Sequence, residues 1–242
     1  MIVLNVPSLK QQVYDAIKHS IIQCEYLPGS QVNEDVFCQR FNASRTPVRD
    51  ALSRLEQEGL VMIQAKRGVV ISPVSLRSIN ELFEVRMRIE PYAVLTYGNR
   101  LSEDIYATYL RHFSSSTQDR DFLHSLDSKF HYAFIEVAHN RYLNMVYRIT
   151  ADQTERYRIL SSASERLDSS QREHCEIASA CLRRNWSQAS ELMRVHINKS
   201  RDSIIDYVLN RDNSRVEIFE SEEPPSVLPV NYMEHLNGRK EA

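Results

Sequence analysis

Between Leu9 and Ile71 the spacing of apolar residues changes character once, at Gly59, and that change limits the folds open to this part of the chain. Before Gly59 the apolar residues recur at helical intervals. Leu9, Val13, Ile17 and Ile21 form one stripe, Val36, Phe37 and Phe41 face inward from a second segment, and Ala51, Leu52 and Leu55 form a third. After it come two short β-branched runs, Leu60–Ile63 and Val69–Ile71, on either side of Lys66-Arg67-Gly68, the pattern of a hairpin. The breaks are equally specific. Pro28-Gly29 stops the first helix, expected over Ser8–Cys24, and Asn42, which tolerates left-handed backbone, turns the second helix, Glu34–Arg40, into the third. Ser44 or Thr46 is placed to cap that third helix, and Pro47 sits in its first turn, where a missing N–H leaves no helical bond unmade.

Three helices closed by a two-stranded ribbon make a winged helix-turn-helix, expected over residues 1–74, and no other stretch carries a strand signal. The remainder reads as helices near 76–98, 102–117, 119–138, 141–163, 166–184 and 186–210, so the chain is expected to be mainly α, with an all-α bundle over 75–212. Residues 213–242, with Glu222-Glu223-Pro224-Pro225 among them, are acidic and without periodicity and read as a mobile extension. A 42% hydrophobic content supports a buried core, while no apolar run reaches the ~18–20 residues that span a bilayer. The N-terminus lacks a basic, apolar leader, so a cytoplasmic protein is expected. The five glycines are too dispersed for a phosphate-cradling loop, which excludes nucleotide-driven chemistry. Cys24, Cys38, Cys175 and Cys181 form no C-x-x-C pair, so reduced thiols are expected rather than a zinc ribbon or a thioredoxin-like site.

With a net charge of −2, any affinity for nucleic acid has to come from a local face. Arg45 and Arg49 lie one turn apart at the start of the third helix, opposite Val48, Leu52 and Leu55. Such a face suits the major groove, where arginine binds guanine through two hydrogen bonds, and Lys66 and Arg67 would reach the flanking backbone or minor groove. From Pro28-Gly29 through Asn42-Ala-Ser-Arg-Thr-Pro-Val-Arg-Asp-Ala-Leu-Ser-Arg-Leu-Glu-Gln-Glu-Gly-Leu-Val61 to Arg67-Gly68, the chain resembles the winged-helix domain of GntR-family transcriptional regulators. The resemblance implies that Arg45, Thr46 and Arg49 contact operator DNA and that Gly68 sits at the minor groove; with Ser44 at the helix start and Lys66 and Arg67 of the wing they make up the expected DNA-contacting set. It also marks one departure. Asp35 stands where the best-studied member of the FadR subfamily has a basic residue on DNA, so that contact is expected to be missing.

A second constellation lies in the helical half. Asp127 and His131 are four apart and project from successive turns toward one point. His174 shares a face with Ile177, Ala178 and Cys181, and His196 with Ala189, Met193 and Ser200, so both imidazoles point to the apolar side of their helices. Each lies 11 residues from Asn185, which can cap the following helix opposite Gln188. In an antiparallel hairpin, equal arms of roughly 16 Å bring them to the same height. If the Asp127 helix packs against that hairpin, one carboxylate and three imidazoles form a site for Zn²⁺, Ni²⁺, Mn²⁺ or Fe²⁺, with an open position for an anion on a metal that prefers six ligands. Three histidines hydrogen-bonded to one another without a metal are the alternative. His124 lies on nearly the same face, whereas His19, His112, His139 and His235 show no partner.

This half resembles the FCD domain, the C-terminal ligand-binding domain of the FadR subfamily, through Asp127, His131, His174 and His196 and the opening Glu84-Val85-Arg86 with Glu90. The resemblance implies an organic-acid effector held by Arg86, with Tyr157 and Arg158 as further candidates for the same cavity. The chain therefore reads as a homodimeric, ligand-responsive repressor of a palindromic operator, without catalytic residues and without a membrane partner. The alternatives are a helical metalloenzyme, disfavoured by the absence of H-E-x-x-H and of P-C-x-x-C, and a metal-free sensor of an acyl thioester.

Overall fold

The computed structural model describes residues 7–64, 68–115, 119–161 and 166–210. Helix α1 (Leu9–Ile22) opens under a Ser8 cap and ends earlier than the proline-glycine pair suggests. Cys24 takes a left-handed φ of 55°, so that Glu25 N–H closes on Ser20 O and Cys24 N–H on Ile21 O, satisfying the last carbonyls before Pro28 is reached. Helices α2 (Glu34–Arg40) and α3 (Arg45–Gln57) follow, with Asn42 at φ 48° between them and Gly59 at φ 72° closing α3. Phe37 fills the core from α2 at 0% exposure, but Val36 is 44% exposed, contrary to the sequence expectation. A seven-residue helix directs one narrow face inward, and the larger ring takes it.

The hairpin is present as β2 (Val61–Gln64) and β3 (Gly68–Ile71), and a third strand, β1 (Gln31–Val32), pairs antiparallel with β3. Two residues carry no periodicity, so β1 was invisible to the sequence. It is held by its neighbour: Gln31 and Val32 align with Val70 and Val69. Gly68 has φ 88°, and a Cβ there would lie 3.1 Å from Val32 O, so β1 and the wing meet closely only because the residue is glycine. Ile17, Leu52, Leu55, Leu60 and Ile71 are almost wholly excluded from water in the core of this domain. Each contributes roughly 1.5–3 kcal/mol of burial, which fastens the ribbon to the three helices.

The second half is helical throughout its described residues: α4 (Leu76–Tyr97), a 3₁₀ turn (Gly98–Arg100), α5 (Glu103–Phe113), α6 (Arg120–Glu136), α7 (Arg141–Leu160), α8 (Leu167–Leu182) and α9 (Trp186–Asn210). Ser75 and Ser78 form a capping box at the start of α4, and Asn185 Oδ1 accepts from Gln188 N–H at the start of α9. The bend between α8 and α9 is closed by Arg184 at φ 55°, with Asn185 N–H on Ala180 O. Trp186 packs over Gly98, whose α-carbon side admits no methyl group: a Cβ would stand 2.9 Å from the ring. Helix α9 lies along α4 and beside α8 at the centre of a single apolar core.

Helix α7 also meets α1 of the first domain. Lys18 reaches Glu58 at 2.8 Å and Asp152 at 2.5 Å, and Gln153 donates to Glu58 O. Burial disfavours the Lys18 charge, yet Asp152 and Glu58 outweigh it and hold the ammonium above the usual lysine range. Buried Arg156 donates to Ser72 O in the connection between the domains.

Candidate metal centre and DNA-reading helix

Asp127 and His131 stand on α6, His174 on α8 and His196 on α9, and one ligand atom from each lies within 4.8 Å of all the others. Nε2 of His131 is 3.1 Å from Nε2 of His174 and 3.2 Å from Nε2 of His196, and Nε2 of His174 is 3.4 Å from Oδ1 of Asp127. The three imidazoles are buried, at 1–3% exposure, and Phe113 and Phe130 pack against the His174 ring. The four residues singled out in the sequence therefore converge, and His124 does not join them.

Carboxylates behind the rings orient two of them. Glu90 on α4 lies 2.5 Å from Nδ1 of His131, and Glu173 on α8 lies 2.8 Å from Nδ1 of His196. A carboxylate at Nδ1 keeps the ring proton there and leaves Nε2 as a bare lone pair. Two such lone pairs face one another at 3.2 Å, an arrangement that repels unless a cation stands between them. The donor set of three imidazoles and one carboxylate matches what a divalent transition metal takes, and burial holds His174 and His196 in the neutral form that ligation needs, well below the usual histidine range. Burial opposes ionisation of Asp127, but the Arg158 guanidinium at 2.6 Å keeps its carboxyl well below its ordinary value. Glu90 is likewise buried, and Arg86 and His131 bring it down to about 2. The residues present fit the group.

Beside the cluster is a small chamber of about 50 Å³, lined among others by Arg86, Arg158, Arg166, Ser200 and Ser203. Arg86 is buried and its guanidinium is engaged by Glu90 at 2.5 and 3.2 Å. Arg158 divides its charge between Asp127 and Glu155. Tyr157 points elsewhere: its hydroxyl donates to Ser78 Oγ, and it is not part of the chamber lining. Glu173 and Arg166, which pair at 2.8 Å, were missed in the sequence. Glu173 serves His196 on the neighbouring helix, a relation with no local spacing to betray it, whereas the Arg86–Glu90 pair one turn apart was legible.

In the first domain Ser44, Arg45, Thr46 and Arg49 are all exposed at the start of α3, while Pro47 and Val48 turn into the core. Ser44 is the N-cap residue by backbone geometry, but its hydroxyl makes no cap bond, and Thr46 lies inside the helix. The third helical position, whose N–H an N-cap side chain would take, is Pro47, which has none to offer. Both arginines are held by acids of α2: Arg45 donates to Asp35 at 3.1 and 3.2 Å, and Arg49 to Glu34 at 2.8 Å. Lys66 and Arg67 lie outside the described residues, and Gly68 begins β3.

Residues 9–71 match the model of the gntR family of bacterial regulatory proteins, and residues 81–199 match that of the FCD domain. The chain belongs to the GntR family. It is a DNA-binding transcriptional regulator of the FCD-bearing kind, not an enzyme, and carries a candidate His/His/His/Asp cluster in its helical domain. It is 25% identical over 195 residues to the HTH-type transcriptional regulator YdhC of Bacillus subtilis, covering 77% of this chain and 87% of that one. It is 24% identical over 205 residues to the HTH-type transcriptional repressor RspR of Escherichia coli, covering 81% and 89%. Among solved structures, a GntR regulator from Rhodococcus sp. RHA1 shares the fold at TM-score 0.70 and 20% identity, over 82% of this chain and 98% of that one. McbR/YncC of E. coli does so at 0.70 and 16%, over 84% and 100%. Among the described residues no helix is long and apolar enough to cross a membrane.

Proposed function

We propose that this GntR-family regulator acts in the cytoplasm as a homodimeric repressor, and that a small organic acid bound at a divalent metal in the FCD domain controls its hold on a palindromic operator. The observation that carries this reading is the convergence of Asp127, His131, His174 and His196 on one point beside a chamber with arginines in its wall. A bound metal would supply a Lewis-acidic seat for a carboxylate, zinc or nickel being the ions best suited and manganese or iron(II) also compatible. Arg158 and Arg86 would balance the incoming charge. On the DNA side Ser44, Arg45, Thr46 and Arg49 form the reading set, with Lys66, Arg67 and Gly68 from the wing. Paired heads would match a two-fold operator, and one relative named as a repressor agrees with the repressing role. The complete set of four candidate metal ligands counts against a metal-free acyl-thioester sensor.

Control requires the effector to bind the DNA-competent and DNA-incompetent dimers unequally. The connection at Ser72–Arg77 is the proposed lever, since Arg156 of α7 holds Ser72 O while Arg158, two residues on, holds Asp127. Elemental analysis of the purified chain tests the centre: one equivalent of metal is expected, lost in His174→Ala, and none in the wild type ends the metal reading. A gel shift with a short palindrome tests the head. Arg45→Ala with Arg49→Ala should abolish a salt-sensitive shift while the protein stays folded.

A further inference from the structure

The DNA-reading helix is tied to the helical domain at its C-terminal end as well as through the chain. Glu58, the C-cap residue of α3, accepts from the Tyr14 hydroxyl at 2.6 Å and from Lys18 at 2.8 Å, both on α1, so α1 and α3 form one piece. The same Lys18 ammonium reaches Asp152 of α7 at 2.5 Å, and Gln153 beside it donates to the Glu58 carbonyl at 3.3 Å. Only 19% of the Lys18 side chain, 20% of Glu58 and 30% of Asp152 is open to water, so solvent screens this junction far less than the exposed ion pairs at the other end of α3.

One turn further along α7, Arg156 holds Ser72 O, and its own carbonyl accepts from Cys24 Sγ–H at 3.7 Å just beyond the end of α1. Val74, two residues along the connection, is buried in the core of the helical domain. A connection anchored at Ser72 and Val74 alone would be a pivot about which the head could turn. The grips of α7 on Lys18 and Cys24 lie six residues apart on the α1 segment, away from that pivot. A body held at a pivot and at two further points has no free rotation left.

We propose that Lys18, Asp152 and Gln153 are positioning residues for operator recognition: they hold the two reading helices of the dimer at one separation and angle, and so set the spacing between half-sites that the protein accepts. The proposal rests on the homodimeric reading given above, with the copies joined through their helical domains. Two binding modules joined stiffly act at high effective concentration on the span they match and hardly at all on others, whereas flexibly joined modules tolerate a range. Inserting 2 bp between half-sites turns one against the other by roughly 70° and moves it by about 7 Å, which a fixed pair of heads cannot follow. The three residues stand on α1 and α7, apart from Ser44, Arg45, Thr46 and Arg49 at the start of α3, so the reading of bases is left alone.

The test uses the full-length protein to select duplexes from random-sequence DNA, and the sequenced pool gives the half-site and its spacing. Wild type is expected to return an inverted repeat at one dominant spacing and to lose about tenfold in affinity, by gel shift, when 2 bp are inserted. Lys18→Met, and separately Asp152→Asn with Gln153→Ala, which leaves the Lys18–Glu58 pair in place, should reduce that loss to about twofold and broaden the selected spacings. Lys18→Arg, which keeps a positive charge between the two carboxylates, should retain the wild-type profile. Binding to a duplex with a single half-site should be the same in every variant, because a damaged head would weaken it. A spacing profile unchanged in both weakened variants, or a fall in single-half-site binding that accounts for the change, overturns the proposal. If wild type selects lone half-sites without a repeat, the dimeric reading itself falls, and this proposal with it.

Discussion

Glu90 and His131, 41 residues apart, meet at 2.5 Å through Oε2 and Nδ1, and Arg86 grips the same carboxylate from one helical turn away. The candidate metal cluster is thus buttressed from α4, the helix that follows directly on the wing connection. Replacing Glu90 with Gln keeps the shape of the contact and removes its charge, which leaves Arg86 buried without its counter-ion and His131 less basic. Metal affinity, read by competition with a chelator, should fall 10–100-fold with all four ligands still in place. Unchanged affinity would show that the carboxylate does not tune the centre.

The pH dependence of the metal-free chain has a defined sign. Burial, and the neighbouring imidazoles after it, depress the values of His174 and His196 in the folded protein, so unfolding takes up protons once the pH is below the unfolded value of about 6.5. The stability is fully present above that value and is lost as the pH falls below it, at up to about 1.4 kcal/mol per pH unit for each ring. Urea unfolding in the presence of a chelator should show a clear fall between pH 7 and 5.5, reduced in His174→Phe. A flat profile would contradict the buried neutral pair.

Asp35 and Glu34 hold the two arginines proposed to read the operator. These pairs are exposed, with Arg45 and Arg49 side chains 66% and 64% accessible, so solvent screens them and each is weak. Binding to DNA has to displace or accommodate them. Asp35→Asn should therefore tighten DNA binding by up to about fivefold at low salt, more evenly across sequences than selectively for one operator. Weaker binding would mean that Asp35 itself accepts from a base or positions Arg45 for one.

Gly98 has ordinary helical backbone, so its lack of a side chain is a matter of space alone. Gly98→Ala would put a methyl group into the Trp186 ring at the start of α9, an overpacking expected to cost about 1–3 kcal/mol. Thermal unfolding should register it as a fall of several degrees. If Trp186→Leu in the same background restores most of the loss, the clash is located; no rescue would place the strain elsewhere.

The parts of the fold legible in the sequence are those encoded within one element or one turn. Asn42 and Gly59 turn where the left-handed backbone requires such residues, and Asn185 with Gln188 opens α9. Equal arms about Asn185 brought His174 and His196 level, and the step of four put Asp127 and His131 on one face. The parts that escaped depend on a neighbour. Strand β1 exists because β3 offers it a ladder, and Val36 stays exposed because Phe37 takes the face that α2 turns to the core; the lost cap bond of Ser44 is an exception, a local effect of Pro47, whose missing N–H was there to be read. The partnership of Asp35 with Arg45 crosses from α2 to α3, and that of Glu173 with His196 from α8 to α9.

What the amino-acid order determined by itself is which face each helix buries and where each helix ends, because those follow from a 3.6-residue repeat and from local caps. Tertiary structure alone decided that α6 approaches the α8–α9 hairpin closely enough to bring four ligand atoms within 4.8 Å, and that Glu90 and Glu173 stand behind two of the rings. Distances between helices are set by side chains packed from residues far apart in the chain, and no periodicity along one segment carries that information.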